Sequence, residues 1–324
     1  MSVPSNTYQT YTQTNIREDL SNLIFNVDPY KTPLLNMSKK NRATQGNHEW
    51  DTDSLAAQNL ANAQVEGDDP AAQVLTPTAR MGNYVQTSNK VVQLSGKGQA
   101  VIAAGGSNKM GYQLMKKSKE LKRDMEGILT YNSAKNAGSS AVASTTAGLP
   151  CWLYTNTVFQ NGNGGANPSL NANGWTDGTS TRTYDGTPVA ITEAQVKSVL
   201  QKIFKSSGES PEYALVSPAN KQNISGFSGP GTRFITVEDK VLKTAVDVYQ
   251  SDFGDVKIIP DIFLAHSADC FFMNPNYIRV AYLRPFQTIP LAKTGDSDKK
   301  MLLVDYALEV GNEHAHGAIF DTLG

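Results

Sequence analysis

The chain has 324 residues, 39% of them hydrophobic, and a formal net charge of −1. That length can bury a sizeable core and predicts a division into two lobes, while the near-zero charge excludes a polycation that coats nucleic acid by charge alone. Its two cysteines, Cys151 and Cys270, stand far apart without CxxC spacing, which argues against a disulfide framework and against a cysteine-rich zinc site.

The opening run MSVPSNTYQTYTQTN lacks the basic and apolar stretches of a signal peptide. No apolar run approaches the ~20 residues of a membrane span, so the reading is a protein made in a reducing cytoplasm with no membrane partner. Residues 1–13 are polar and read as a flexible arm. Thr14 then offers an N-cap, Glu18 and Asp19 suit the positive end of a helix, and Ile16, Leu20, Leu23 and Ile24 recur at helical spacing up to Pro29.

From about Gly46 to Gly98 the chain alternates polar residues behind an acidic head of Glu49, Asp51, Asp53, Glu66, Asp68 and Asp69, with no sustained apolar face. A segment that cannot bury itself on its own chain is disordered or made to lie on another subunit. Trp50, Glu66, Asp68, Asp69 and Arg80 are the candidates for contact with that subunit, and a strand-like return runs near Tyr84–Leu94. A helix is expected from Ser107 to about Asn136, roughly 45 Å long at 1.5 Å per residue. Met110, Leu114, Leu121, Met125 and Ile128 form its apolar stripe, with Lys109, Lys116, Lys119 and Arg123 opposite. That basic face is either a solvated surface or one turned toward nucleic acid, and the stripe alone does not separate the two.

Residues 155–187, rich in Asn, Gly, Thr and Ser, read as a polar surface excursion with some strand around Trp175. Beyond them Ile191, Thr192 and Gln195 spell a capping box with a hydrophobic staple to Val196, opening a helix that buries Val196, Val199, Leu200, Ile203 and Phe204 and stops at Gly208. Ser217-Pro218 starts another helix. Strands are predicted over Tyr213–Val216, Ala245–Gln250, Val256–Ile259, Cys270–Met273, Tyr277–Leu283 and Met301–Val310. The class is α+β, helices early and strands late.

Catalytic motifs are scarce. No phosphate loop, dinucleotide fingerprint or nucleophile elbow occurs, and the Asp51/Asp53 pair lacks the rest of a calcium loop. His314 and His316, two apart, would share a strand face, but two ligands without a third make a poor metal site. Cys151 beside Trp152 reads as a packed thiol. No catalytic residue, metal or cofactor is expected.

Several runs resemble the major capsid proteins of tailed bacteriophages: REDLSNLIFNVDPYKTPLL (17–35), HEWDTDSLAA (48–57), EGDD (66–69) and GLPCWLYTN (148–156) early in the chain, and VDVYQSDFGDVKIIPD (246–261), VAYLRPFQTIPLAKTGDSDKKMLLVDYALEV (280–310) and NEHAHGAIFDTLG (312–324) in the last third. The likeness follows the chain in order over nearly its whole length, and the long polar insert around 157–187 departs from it. It implies an N-terminal arm (1–45), an extended β-hairpin loop (46–97), a peripheral domain (98–154 with 278–312) on a spine helix (107–136), the insert (155–187) and an axial domain (188–277), with 313–324 unplaced.

The function it implies is a shell protein that self-assembles into hexamers and pentamers of an icosahedral phage head. Its partners would be other copies of itself, double-stranded DNA touched weakly through Lys116, Lys119 and Arg123, a portal and a decoration protein. The protein would be built in the host cytoplasm and end in the virion. A nanocompartment shell of encapsulin type shares these expectations, and an enzyme acting on a surface polymer is a more distant reading of the insert. Residues 48–89 contain no lysine, which leaves that loop without one to supply for a covalent cross-link.

Overall fold

The computed structural model describes residues 29, 31–67, 69, 72, 74–75, 77–101, 109–159, 165–227, 247–264 and 269–323. The arm expected over 1–13 and the helix expected from Thr14 lie outside these residues.

Two strands carry much of the fold. β10 (Ile278–Leu291) and β11 (Ser297–Val310) run antiparallel as a long hairpin. Residues 302–310 of β11 are buried on both faces, so this run reads as continuous apolar sequence rather than as alternation. β4 (Gln86–Ser95) flanks β11, and the short β1 (Lys39–Arg42) flanks β10, giving a four-stranded sheet in the order β1-β10-β11-β4. β1 covers only Arg279–Tyr282 of β10, so among the described residues Arg284–Leu291 has β11 on one side and an open edge on the other.

Helix α3 (Lys109–Thr130) packs on this sheet through Leu121, Met125 and Leu129, with the short helix α1 (Pro33–Met37) beside it and the short helix α2 (Gly96–Ala100) directly after β4. At 22 residues α3 is about 33 Å long and stops six residues short of the expected Asn136. The reason is local competition for the backbone. Asn132 brackets the backbone of Arg182, donating to its carbonyl (2.7 Å) and accepting its N–H (2.9 Å), and the Ser133 carbonyl receives the Gly148 N–H at 3.0 Å. Gly148 lies so close that a Cβ there would fall 1.8 Å from the Tyr131 carbonyl oxygen, so only glycine fits.

The second sheet has six strands in the order β5-β12-β9-β6-β8-β7. These are β5 (Thr157–Phe159), β6 (Tyr213–Val216), β7 (Val248–Ser251), β8 (Gly254–Pro260), β9 (Cys270–Met273) and β12 (Gly317–Phe320). Helix α4 (Glu193–Ser207) starts at the expected box, where Gln195 Oε1 accepts the Thr192 N–H at 2.9 Å, and ends at left-handed Gly208. Ile191 and Val196 share its core, but Phe204, expected in that core, is exposed and packs beside Phe253. α5 (Pro218–Ser225) follows, with Ser217 Oγ accepting the Asn220 N–H. The segment 313–324, unplaced by sequence, supplies β12 between β5 and β9.

The second sheet and α4 enclose a core of their own, and a larger core joins the two sheets. One apolar cluster joins Leu121, Met125 and Leu129 of α3 with Trp152, with Val304 and Tyr306 of β11, and with Leu215, Phe271 and Phe320 of the second sheet. The apolar stripe of α3 is therefore not self-contained.

Residues 155–187 are not the free surface excursion that their composition suggests. They begin as β5 in the second sheet, and Thr176 Oγ1 donates to the Trp152 carbonyl at 2.8 Å. Gly178, at φ 73°, lies against the Trp152 ring, where a Cβ would stand 2.9 Å away. Arg182 is 3% exposed, its guanidinium 3.6 Å from the Phe320 ring centroid and bonded to the Leu153 carbonyl and to Asn167. Burial pulls its pKa down to about 10, so it stays cationic at neutral pH. Replacing Arg182 with Ala should cost about 3–5 kcal/mol in chemical denaturation, because a desolvated cation site and its carbonyl acceptors lose their partner. A loss within about 0.5 kcal/mol, the range of surface substitutions, would return the insert to the surface.

Candidate assembly surfaces

The extended loop springs from the hairpin of β2 (Asn47–Thr52) and β3 (Ala79–Tyr84), paired from Asn47↔Tyr84 to Thr52↔Ala79. Its root is fastened to its own subunit in three ways. Asn83, fully buried, donates to the Leu308 carbonyl at 2.8 Å and accepts the Ala147 N–H at 2.8 Å. Trp50 packs on Trp152 with ring centroids 5.3 Å apart, and His48 lies 5.9 Å from Trp50. Trp50, expected to reach a neighbour, is thus half-buried on its own chain.

The third fastening is Glu309, buried in β11. It accepts from His48 Nε2 (2.9 Å), Asn41 Nδ2 (2.7 Å) and Arg279 Nη1 (2.9 Å), tying β2, β1 and β10 to one carboxylate. Burial alone would raise its pKa, but the three donors and the Arg279 charge outweigh it and hold the carboxyl below its ordinary range. A depressed carboxyl stabilises the fold above its unfolded pKa and stops doing so as pH falls through the folded one. Glu309→Gln should therefore be less stable than the parent chain at pH 7, and the gap should close as pH drops below about 4. Parallel melting curves at the two pH values check this; a constant gap would mean that the charge of Glu309 is irrelevant.

Beyond the root the picture inverts. Every described residue from 53 to 78 is exposed. Leu55 is 99% exposed, Leu60 87%, Val65 77%, Val74 96% and Leu75 90%. Five large aliphatic side chains in water on one arm mark an unpartnered contact surface. The acidic head drew attention away from them; scattered Leu and Val in an Ala/Gln-rich run without period are the signal that identifies them. Glu66 and Asp69 are exposed among them, and Asp68 lies outside the described residues. Arg80 is bonded to Glu49 across the hairpin and stays exposed.

The basic face of α3 is broken up. Lys116 is exposed, Lys119 is half-buried and engaged, and Arg123 lies 5.2 Å from the Phe263 ring centroid. Lys117 pairs with Glu120 at 2.6 Å and Lys122 lies 5.9 Å from the Phe286 ring. Arg123 is therefore a packing cation, and only Lys116 of the three DNA-facing candidates is freely presented.

His314 and His316 do not share a strand face. They sit in and just after a single 3₁₀ turn, Glu313–Ala315, where His314 meets Trp175 at 5.3 Å and His316 is buried, its Nδ1 accepting the Asn274 N–H. Burial lowers the His316 pKa to about 3, which fixes it as neutral. Burial likewise pushes the Cys151 and Cys270 thiols up to about 12, far from nucleophilic use. Among the described residues no group of three His, Cys, Asp or Glu side chains is placed to hold a metal ion.

A long helix against a four-stranded sheet, a second sheet lobe and a bare hairpin arm define the class by its fold, that of the tailed-phage capsid proteins. Solved structures share that fold over almost the whole chain. The cyanophage A-1(L) capsid subunit matches with a TM-score of 0.63 at 13% identity, covering 97% of this chain and 99% of that one. A gene-transfer-agent capsid matches at 0.61 with 10% identity over 98% and 100%, and the SrpI encapsulin of Synechococcus elongatus PCC 7942 at 0.56 with 10% identity over 98% and 96%. In sequence, the major capsid protein of Escherichia phage Phieco32 is 25% identical over 344 aligned positions, 98% of this chain and 97% of that one. The SU10 major capsid protein family matches residues 3–323, and the chain belongs to it. It is a structural protein of the phage capsid and not an enzyme.

Proposed function

We propose that the chain closes a phage head by laying the 53–78 arm across a neighbouring subunit, with capsomers of six and five copies tiling an icosahedral shell. The observation that carries this reading is the contrast within one hairpin: a root pinned by Trp50, Asn83 and Glu309, and an arm with every described residue exposed and five aliphatic side chains among them. A rigid root aims the arm; the arm finds its burial elsewhere. Head-to-tail contacts of this kind close into rings, and burial per subunit belongs to the obligate range of roughly 2,000–5,000 Å². The acidic residues Glu66 and Asp69 serve orientation more than affinity.

The shell encloses double-stranded DNA with weak, non-specific contact, for which Lys116 is the best placed cation of the three candidates. One vertex takes a portal, the exposed turn 172–174 of the insert offers polar groups to a decoration protein, and assembly takes place in the host cytoplasm. Peripheral and axial domains correspond to the first and second sheets with their helices.

Changing Leu55, Leu60, Val74 and Leu75 together to Ser should leave the unfolding midpoint within about 0.5 kcal/mol of the parent, since exposed sites carry little fold stability. Electron microscopy should then show monomers or isolated rings in place of closed shells. Normal shells from the quadruple variant would reduce the arm to decoration.

A further inference from the structure

A cleft of about 220 Å³ opens where α1, β1, α3 and β10 meet. Leu35, Tyr282, Pro285 and Phe286 give it an apolar lining, and Lys40 and Lys122 stand at it. Both lysines are exposed, and the Lys122 ammonium lies 5.9 Å from the Phe286 ring centroid. Phe286 is 36% exposed and falls on the stretch of β10 that β1 does not cover. The cleft is an apolar surface with a cationic border, left partly open to water on its own subunit.

The sequence divides its charge sharply around this cleft. From 29 to 48 the chain carries Lys31, Lys39, Lys40 and Arg42 and no Asp or Glu. All four of these cations are exposed. From 49 to 79 it carries Glu49, Asp51, Asp53, Glu66, Asp68 and Asp69 and no Lys or Arg. Most of that second block is the arm, and it does not fold back onto the first, since its described residues from 53 to 78 are exposed. A turn at 66–67, with Gly67 at φ 83°, marks the middle of the arm and hence its tip. At ~3.3 Å per residue the stretch 53–66 can reach roughly 40 Å from the root. The tip thus carries Val65, 77% exposed, beside the Glu66 carboxylate.

We propose that the cleft between α1, β1, α3 and β10 receives the arm tip of a neighbouring copy, with the partner's Val65 over Leu35, Tyr282 and Phe286 and the partner's Glu66 facing Lys40 and Lys122. This contact rests on the reading that the arm crosses to a neighbour, and it gives that arm its receiving surface. A nucleic-acid backbone would use the lysines but leave the apolar lining uncovered, because phosphates bring charge and no aliphatic surface. The arm supplies both. Tip and cleft are different surfaces, so the contact is heterologous: each copy gives its arm to one neighbour and takes an arm from another. The charges set the choice of surface, and the aliphatic groups hold the contact.

Charge reversal on either side tests it, read by electron microscopy of particles assembled from the full chain. Lys40→Glu with Lys122→Glu should lower the particle yield roughly tenfold at low ionic strength, and so should Glu66→Lys with Asp69→Lys. All four changes together should recover most of the yield, and raised salt should shrink each loss. Unfolding midpoints should stay at that of the parent, since exposed side chains carry little fold stability. If the lysine variant does not fold, Asn36→Cys with Val65→Cys takes its place. Mild oxidation of the assembled particles should then link chain to chain, while Cys151 and Cys270, both buried, stay unreactive. Normal yield from the lysine variant, no recovery in the fourfold variant, or no interchain link overturns the cleft contact and leaves the arm to dock elsewhere. Closed shells at normal yield but with less DNA inside would make the cleft a nucleic-acid surface and overturn it too. Normal shells from the quadruple serine variant of the arm would instead remove the arm contact altogether.

Discussion

The described residues of the arm from 53 to 78 are all exposed on their own subunit, and the rest of the architecture answers that constraint. A hairpin this long, with every described residue exposed, has a definite direction only if its base is fixed. Trp50 on Trp152, Asn83 between the Ala147 and Leu308 backbones, and Glu309 under His48 do the fixing. Trp152 in turn belongs to the cluster that unites α3 with both sheets, so the aim of the arm is set by the centre of the molecule. A change anywhere in that cluster reaches the arm through one indole pair.

Glu309 and Glu126 show two opposite uses of a buried carboxylate. Glu309 has a guanidinium, an imidazole and an amide for company, which keeps it ionised and makes it a fixed junction of three strands. Glu126 is buried with two backbone N–H groups of α1 for partners, and that burial raises its carboxyl to about 8. The first is held charged by its partners, the second pushed toward its neutral form by burial.

Much of the fold is legible in the sequence where local chemistry and burial agree. β6 and β9 fall at the expected residues because short apolar runs between turn signals are buried on both faces. α4 starts and stops at its box and its glycine. Legibility fails where distant partners decide. β10 runs on to Leu291 past two prolines because β11 pairs with it there, whereas Tyr277–Leu283 was the extent that alternation supported. The insert looks like loop because its anchors, Thr176, Gly178 and Arg182, bind backbone and rings far away in sequence. For the assembly surface, Glu66 and Asp69 are exposed as their composition suggests, but Trp50 and Arg123 pack on rings of their own chain and Arg80, itself exposed, pairs with Glu49, partners that no spacing announces. A lone Glu309 in the apolar run YALEV, and Glu126 three residues before Leu129 on the buried side of α3, were the available hints.

The open edge of β10 carries a further consequence. A free strand edge is a template for pairing with any other strand, and a protein that gathers in many copies at high local concentration runs that hazard constantly. Along Arg284–Leu291 the chain places Pro285 and Pro290, residues with no N–H to offer a foreign strand. The edge is thereby incompetent for continuous ladder growth, and the molecule is steered away from fibrous polymer and toward contacts whose number and direction are fixed.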